Sequence, residues 1–355
     1  MWSLLPQIVA AFDEYAYDYI SSMIHPIDNY ICIGTARLVA SPALLEGVMR
    51  IAHKILSEKN QDVEAQYASK IVETLFAACA PVGGGAAGGA APLDAYFSAL
   101  FRLVVQKLSA TESRSLKFLL LNAVASAAYY SPSLFLRECV TTGCTIDLFN
   151  VWLSHCLEMR TNFQRRVAVL GLGAFCRVPL AQQPPELAPV FDKVLGVMIG
   201  LLEQKEASES GDDDEDDDDD EGLDDDDDEE DDEDDEDPQN RFAEADEDAN
   251  AVDGEDVEYM KMLTQKMKDG FGGGCGESDV SDSDFESPLD GLNHYVHWAA
   301  AMQSFAELNA PAFAAWTASL APEQAAELQR WSAKANEERA RMAEEAAKAC
   351  GAGQP

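Results

Sequence analysis

Residues 41–79 read SPALLEGVMRIAHKILSEKNQDVEAQYASKIVETLFAAC. Leu44, Leu45, Val48, Ile51, Ala52, Ile55 and Leu56 recur at three- and four-residue steps, which gathers them on one stripe of a helix over 43–58. Ser41-Pro42 ahead of it supplies an N-cap and a proline at the first helical position, where the missing N–H has no bond to lose. The pattern restarts over 62–79 with Val63, Tyr67, Ile71, Leu75 and Phe76. Two amphipathic helices joined by a few polar residues predict an antiparallel pair.

The pair recurs along the chain. Segments 92–110 (Phe97, Leu100, Val104, Leu108) and 114–130 (Leu116, Leu119, Leu120, Val124) form a second. Segments 145–158 (Ile146, Phe149, Trp152, Leu153) and 161–178 (Phe163, Val167, Leu170, Phe175) form a third. A helix over 186–204, with Leu187, Val190, Phe191, Val194, Leu195, Ile199 and Leu202, closes the series. Pair starts near 43, 92 and 145 lie slightly above the ~40–47-residue period of HEAT-type units. The insertion PVGGGAAGGAAP at 81–92 explains part of the excess. Strand-like alternation between hairpin turns is absent. The expected fold is all-α, a HEAT-repeat-type helical solenoid, with an ordinary helical bundle as the plainer alternative. The opening MWSLLPQIVAAF is apolar on Trp2, Leu4, Leu5, Ile8, Val9 and Phe12, without the polar outer face of a capping repeat. It reads as a repeat from inside a longer solenoid.

Charge divides the 355-residue chain differently. The net charge is −40, from 65 acids against 25 bases. Residues 1–205 hold 17 acids and 16 bases, whereas residues 206–258 hold 34 acids and the single base Arg241. Between 212 and 237, 24 of 26 positions are Asp or Glu. Such a run repels itself and has nothing apolar to bury, so disorder is expected. The organisation that follows is HEAT-like repeats over 1–205, an acidic disordered loop over 206–258, a tether over 259–288 and C-terminal helices over 289–355. An amphipathic segment at 255–268 (Val257, Met260, Leu263, Met267) runs from the end of the acidic loop into the tether, which continues as the flexible FGGGCGESDVSDSDFESP at 271–288. In the last part, Leu292, Tyr295, Val296, Met302 and Phe305 share a stripe, and Pro322 opens a helix docked through Ala325, Leu328 and Trp331. Its charged continuation projects into solvent.

The acidity argues against a surface that grips nucleic acid or anionic membrane, because phosphates are repelled. It favours basic partners. A mobile polyanion made of Asp212, Asp213, Asp214, Glu215, Asp216, Asp224, Asp225, Glu229, Glu230, Asp231 and Asp232 attracts Lys/Arg-rich proteins over a Debye length of about 8 Å. Its plainer reading is a solubilising tail. Ser210, Ser281 and Ser283 each have an acid three residues on, the pattern of acid-directed phosphorylation. The eight cysteines show no CxxC and read as reduced thiols of a cytosolic or nuclear protein. The N-terminus has no charged region of the kind that opens a secretory signal, and no apolar run approaches the ~18–20 residues of a membrane span.

Candidate chemistry is sparse. Asp290, His294 and His297 could place three metal ligands on one helical face, though a packing face is the simpler reading. His155 and Cys156 are adjacent, and neighbours on a helix do not face each other. Cys139 and Cys144 could form a redox pair. Gly171-Leu172-Gly173 has no preceding strand to make it a dinucleotide loop, so its small residues fit close helix packing. The expectation is no enzyme and no cofactor.

Several segments, in order, resemble the C-terminal third of the karyopherin-β nuclear transport receptors, in the branch of importins seven and eight. They are MWSLLPQIVAAFDEYAYDYISSMIHPIDNYI at the start, LNAVASAAYYSPSLFL with Tyr129, Tyr130 and Pro132, RRVAVLGLGAF with Leu170-Gly171-Leu172, and FAELNAPAFAAWTASLAPEQAAELQ. The resemblance implies a HEAT-repeat import receptor that carries basic cargo, ribosomal proteins and histones among them, through nuclear pores. It further implies release by Ran-GTP, contact with FG-repeat nucleoporins, partnership with importin-β, and residence in cytoplasm, nucleus and pore. The repeats that contact Ran in that family lie N-terminal to the part resembled here. The Gly/Ala insertion at 81–92 departs from the family pattern. The runner-up function is a stand-alone acidic chaperone or scaffold for basic proteins.

Overall fold

Helix α4 (Pro42–Ser57) and helix α5 (Asp62–Cys79) are the antiparallel pair expected at 41–79. A computed structural model describes residues 2–59, 61–81, 91–211 and 287–351. Leu45, Val48, Ile51, Ala52, Ile55 and Leu56 are all buried, so the α4 stripe faces the core. Pro42 stands at the first turn and Ser41 is extended, as a cap should be, but the Ser41 side chain makes no capping hydrogen bond. Caps do close elsewhere, where Ser113, Ser131, Thr161 and Asn293 accept from backbone N–H groups three residues on.

The other helices are α1 (Leu4–Glu14), α2 (Ile20–Cys32), α3 (Thr35–Val39), α6 (Phe97–Ala110), α7 (Arg114–Tyr130), α8 (Pro132–Thr142), α9 (Thr145–Cys156), α10 (Asn162–Phe175) and α11 (Ala188–Gly211). After the segment that lies outside the described residues come α12 (His294–Leu308), α13 (Ala310–Ser319) and α14 (Pro322–Gly351). The described residues contain no strand and belong to one compact unit. Neighbour relations sort the helices into two layers. In one, α1, α4, α6, α8, α9 and α11 follow one another; in the other, α2, α5, α7, α10 and α12 do. That is an all-α, HEAT-like solenoid.

Aromatic rings lock the layers together. Phe76 meets Phe97 and Tyr130, Phe97 stacks on Phe101, and Phe101 meets Phe135 edge-on at 5.0 Å. Phe135 then touches Phe149, Trp152 and Phe175, continuing the line from α5 to α10. Buried aromatic contacts of this kind add about 0.5–1.5 kcal/mol each beyond their area. Phe135 stands on α8, a helix in the stretch between 130 and 145 to which the sequence reading assigned no element. Only Ser131 divides α8 from α7; it ends α7 in extended backbone and caps α8 in one step.

Two further expectations change. The helix expected to stop at 204 runs to Gly211, and Glu206, counted with the acidic loop, sits on it and pairs with Lys334 at 3.0 Å and with Arg330. Val63, assigned to the buried stripe of α5, is exposed. The C-terminal helices dock on the repeats. Arg166 of α10 holds Asp290 at 3.0 Å, Phe191 of α11 meets Phe305 of α12, and the Asn309 side chain accepts from the Leu180 N–H at 2.8 Å. Trp331 of α14 is fully buried and stacks on Tyr295 of α12. Beyond Ala335 the helix is largely exposed, as its charge pattern predicts. Most of the 81–92 insertion and the 255–268 segment lie outside the described residues.

Candidate functional site

Helices α5, α7 and α10 each touch helices of both layers, and this sandwiching buries polar side chains that a one-sided helix would leave in water. Lys70 and Glu73 of α5 are an i,i+3 pair, 3.3 Å apart, with almost no exposure. The Lys70 ammonium also lies 4.3 Å from the centre of the Phe163 ring on α10, a cation–π contact that links the two helices flanking α7. Asp28 of α2 is buried beside them, and burial raises its pKa against the opposing pull of Thr74, Lys70 and Cys32. The Cys32 thiol donates to both its carboxylate oxygens at 3.7 Å.

On α7 the face marked by Asn122 and Ser126, one turn apart, is completely buried, and neither the Asn122 amide nor the Ser126 hydroxyl has a hydrogen-bond partner. Buried polar groups in that state cost about 1–3 kcal/mol each. Arg165 and Arg166 extend the polar seam along α10, and Tyr129 meets His297 of α12 edge-on at its far end. The seam mixes acids (Asp28, Glu73), bases (Lys70, Arg165, Arg166) and amides. These groups on α2, α5 and α7 are enclosed between the helices, where their ion pairs and packing tie the repeats to one another.

The sequence candidates distribute as follows. Asp212 to Asp232, Ser281 and Ser283 lie outside the described residues, and Ser210 falls in the last turn of α11. The Asp290, His294, His297 set is not a metal centre: Asp290 accepts from the Ser287 N–H and pairs with Arg166. His294 is buried, and desolvation above all pushes its pKa down to about 2, with the Lys205, Arg166 and Lys334 charges adding. Among the described residues no group of three His, Cys, Asp or Glu is placed to hold a metal. His155 turns to the Val151 carbonyl, and the neighbouring Cys156 thiol is buried with its pKa raised by desolvation. Gly171 is a packing position: a Cβ there would lie 2.6 Å from the Ala125 carbonyl oxygen of α7. Cys139 and Cys144 do come together, at the α8–α9 turn. The seam on α5 and α7 was missed by sequence reasoning, although Lys70, Glu73 and Asn122 interrupting otherwise apolar helices were a visible signal.

Among the described residues no single helix is long and apolar enough to cross a membrane; α7 and α8 qualify only together, and they are bent by 120°. The family described as "Importin-11-like, TPR repeats" matches residues 1–256, most of the chain. The chain belongs to this importin family. Its membership agrees with the karyopherin-β resemblance carried by the opening and the 121–136 and 165–175 segments. Similar proteins include the importin beta-like SAD2 homolog of Arabidopsis thaliana, 28% identical over 217 residues, which are 58% of this chain and 20% of the relative. The probable importin-7 homolog of Dictyostelium discoideum is 26% identical over 180 residues, 49% of this chain and 16% of the relative. Importin-8 of Mus musculus is 23% identical over 214 residues, 57% and 20% of the two. The chain thus spans about a fifth of the length of the importins it matches. No solved structure matches it. The acidic run of this chain begins directly after Gly211, the last residue of α11.

Proposed function

We propose that the chain acts as part of a nuclear import receptor that gathers basic cargo, such as ribosomal proteins and histones, for passage through nuclear pores. The observation that carries this reading is a net charge of −33 concentrated in residues 206–258 of a chain from the importin family. In this scheme the carboxylates from Asp212 to Asp232 attract Lys/Arg-rich surfaces, and the repeats carry the acidic run. The division into repeats (1–205), acidic loop (206–258), tether (259–288) and C-terminal helices (289–355) assigns capture to the loop and shape to the repeats. Phosphorylation of Ser210, Ser281 and Ser283 would add charge to the same element. FG-repeat nucleoporins, Ran and importin-β are the further partners, and cytoplasm, nucleus and pore the expected locations. No catalysis or cofactor enters the scheme.

A stand-alone acidic chaperone of basic proteins is the second reading, favoured by the same charge without the transport partners. Pull-downs with FG-repeat segments and with Ran-GTP separate the two. Retention of the intact chain by FG repeats supports a receptor part. Capture of histone with no binding to FG repeats or Ran-GTP supports the chaperone.

A further inference from the structure

Helix α8 ends by turning back on itself. Gly143 adopts φ +69°, a left-handed conformation that only glycine reaches without strain. The Gly143 N–H bonds to the Val140 carbonyl at 3.2 Å, and the Cys144 N–H bonds to the Cys139 carbonyl at 3.1 Å. These two bonds are the Schellman arrangement, which lays the residue after the glycine against the residue five positions earlier. Here both residues are cysteines. The Thr142 hydroxyl stands 3.1 Å from the Cys144 sulfur. Cys139 is completely buried, whereas Cys144 is partly exposed at the cap of α9.

We propose that Cys144 is a site of reversible oxidation by hydroperoxides, and that Cys139 resolves the oxidised form to an intramolecular disulfide. The asymmetry of the pair assigns the roles. Solvent reaches Cys144 first, and among the described residues the thiol positioned to attack it afterwards is Cys139. The Cys144 thiol is drawn down to about 6, first by the bond from Cys139 and then by Thr142 and a backbone N–H, against burial and the Asp147 charge. Cys139 is pushed up by giving that bond and by burial, so it keeps its proton until its partner reacts. The neighbouring thiols offer a contrast: burial raises Cys79 to about 11 and Cys176 to about 12, and Cys156 is raised as well. Buried thiols of this kind are inert, whereas thiolates at helix N-termini react.

The chemistry balances with hydrogen peroxide as oxidant. The Cys144 thiolate attacks one peroxide oxygen, the S–O bond forms as the O–O bond breaks, and hydroxide leaves to become water. The Cys139 sulfur then attacks the Cys144 sulfur; the S–S bond forms, the S–O bond breaks, and the Cys139 proton goes to the departing hydroxide as a second water. Two thiols are oxidised and one peroxide is reduced. Disulfides need Cα atoms ~4.4–6.8 Å apart, a separation that the backbone bond from Cys144 to Cys139 supplies without unwinding α8.

The test uses the full chain, reduced and desalted, treated with a small excess of hydrogen peroxide, then alkylated, digested with trypsin and mapped by mass spectrometry. The peptide between Arg137 and Arg160 contains Cys139, Cys144 and Cys156. The expected product has lost two hydrogens and carries one alkyl group, on Cys156. Cys139→Ser is expected to stop at a dimedone-reactive sulfenic acid on Cys144, and Cys144→Ser to keep both remaining thiols alkylatable. Alkylation of Cys144 should be half-maximal near pH 6 and move toward the ordinary ~8.5 in Cys139→Ala, which removes the donor at that position. Full alkylation of Cys139 and Cys144 in the wild-type peptide after peroxide would overturn the proposal, as would a bond from Cys144 to Cys156 or to another chain. The wild-type map decides the question even if a variant folds poorly.

Discussion

Lys70 and Glu73 face each other at 3.3 Å on α5 with essentially no contact with solvent. A buried pair of this kind is a weak source of net stability, because desolvating two charges offsets their attraction, yet removing one partner leaves the other stranded.

Lys70→Met should therefore destabilise the fold by about 3–5 kcal/mol, while Lys70→Met combined with Glu73→Leu should recover most of the loss. Thermal unfolding followed by circular dichroism checks this, with the single variant melting at least ~6 °C lower. A single variant that melts with the wild type would mean that the pair is not enclosed as described.

The two glycines of α10 make a paired prediction. A Cβ on Gly171 would meet the Ala125 carbonyl oxygen at 2.6 Å and its Cα at 2.8 Å, and a helix backbone has little room to yield. Gly171→Ala should cost at least about 1–3 kcal/mol as α7 and α10 are forced apart. At Gly173 the nearest atoms are Ala301 Cβ at 3.3 Å and the Met198 sulfur at 3.9 Å. Gly173→Ala should be close to neutral, since up to ~1 kcal/mol of helix propensity offsets the squeeze. Urea midpoints of the two variants measure the difference; equal losses would refute the packing argument.

How much of this was legible in the sequence follows from where each contact lies. The stripe of α4 involves residues a few positions apart, so periodicity found it, whereas the capping side chains of Ser113 and Thr161 went unread and the one cap expected, Ser41, makes no capping bond. Gly171 could be read as a packing residue because no strand precedes it. Helix α8 was left unassigned between 130 and 145 because it is only 11 residues long and its apolar stripe is short, with Phe135, Leu136 and Cys139 as its buried apolar residues. The buried seam was hidden because an apolar stripe reports one interface, whereas α5 and α7 each have several. Docking of α12 on α10 rests on pairs such as Arg166 and Asp290, 124 positions apart, which no local pattern encodes. The acidic carboxylates proposed to hold cargo were legible from composition alone.

His294 gives stability a pH dependence of definite sign. Its folded pKa lies near 2 and its unfolded value near 6.5, so below pH 6.5 the unfolded chain takes up a proton that the folded chain refuses. The fold should lose stability as pH falls through this window, by roughly 2 kcal/mol between pH 6.5 and 5 from His294. His297, also lowered by burial, acts in the same direction. His294→Gln should flatten the slope over that range, measured by urea unfolding at half-unit pH steps. An unchanged slope would show that His294 is not enclosed.

The account's central claim is that the acidic run captures basic proteins, and deletion tests it most directly. The affinity of a labelled core histone is measured by fluorescence anisotropy for the intact chain and for a chain lacking residues 212–237, which leaves Glu206 and its pairs with Lys334 and Arg330 in place. Each is titrated at about 50 and 150 mM salt, where exposed charges are screened to different depths. The account predicts micromolar or tighter binding by the intact chain, a loss of about tenfold or more on raising the salt, and a similar loss on deletion. Equal affinity of the two chains, with no response to salt, would contradict it.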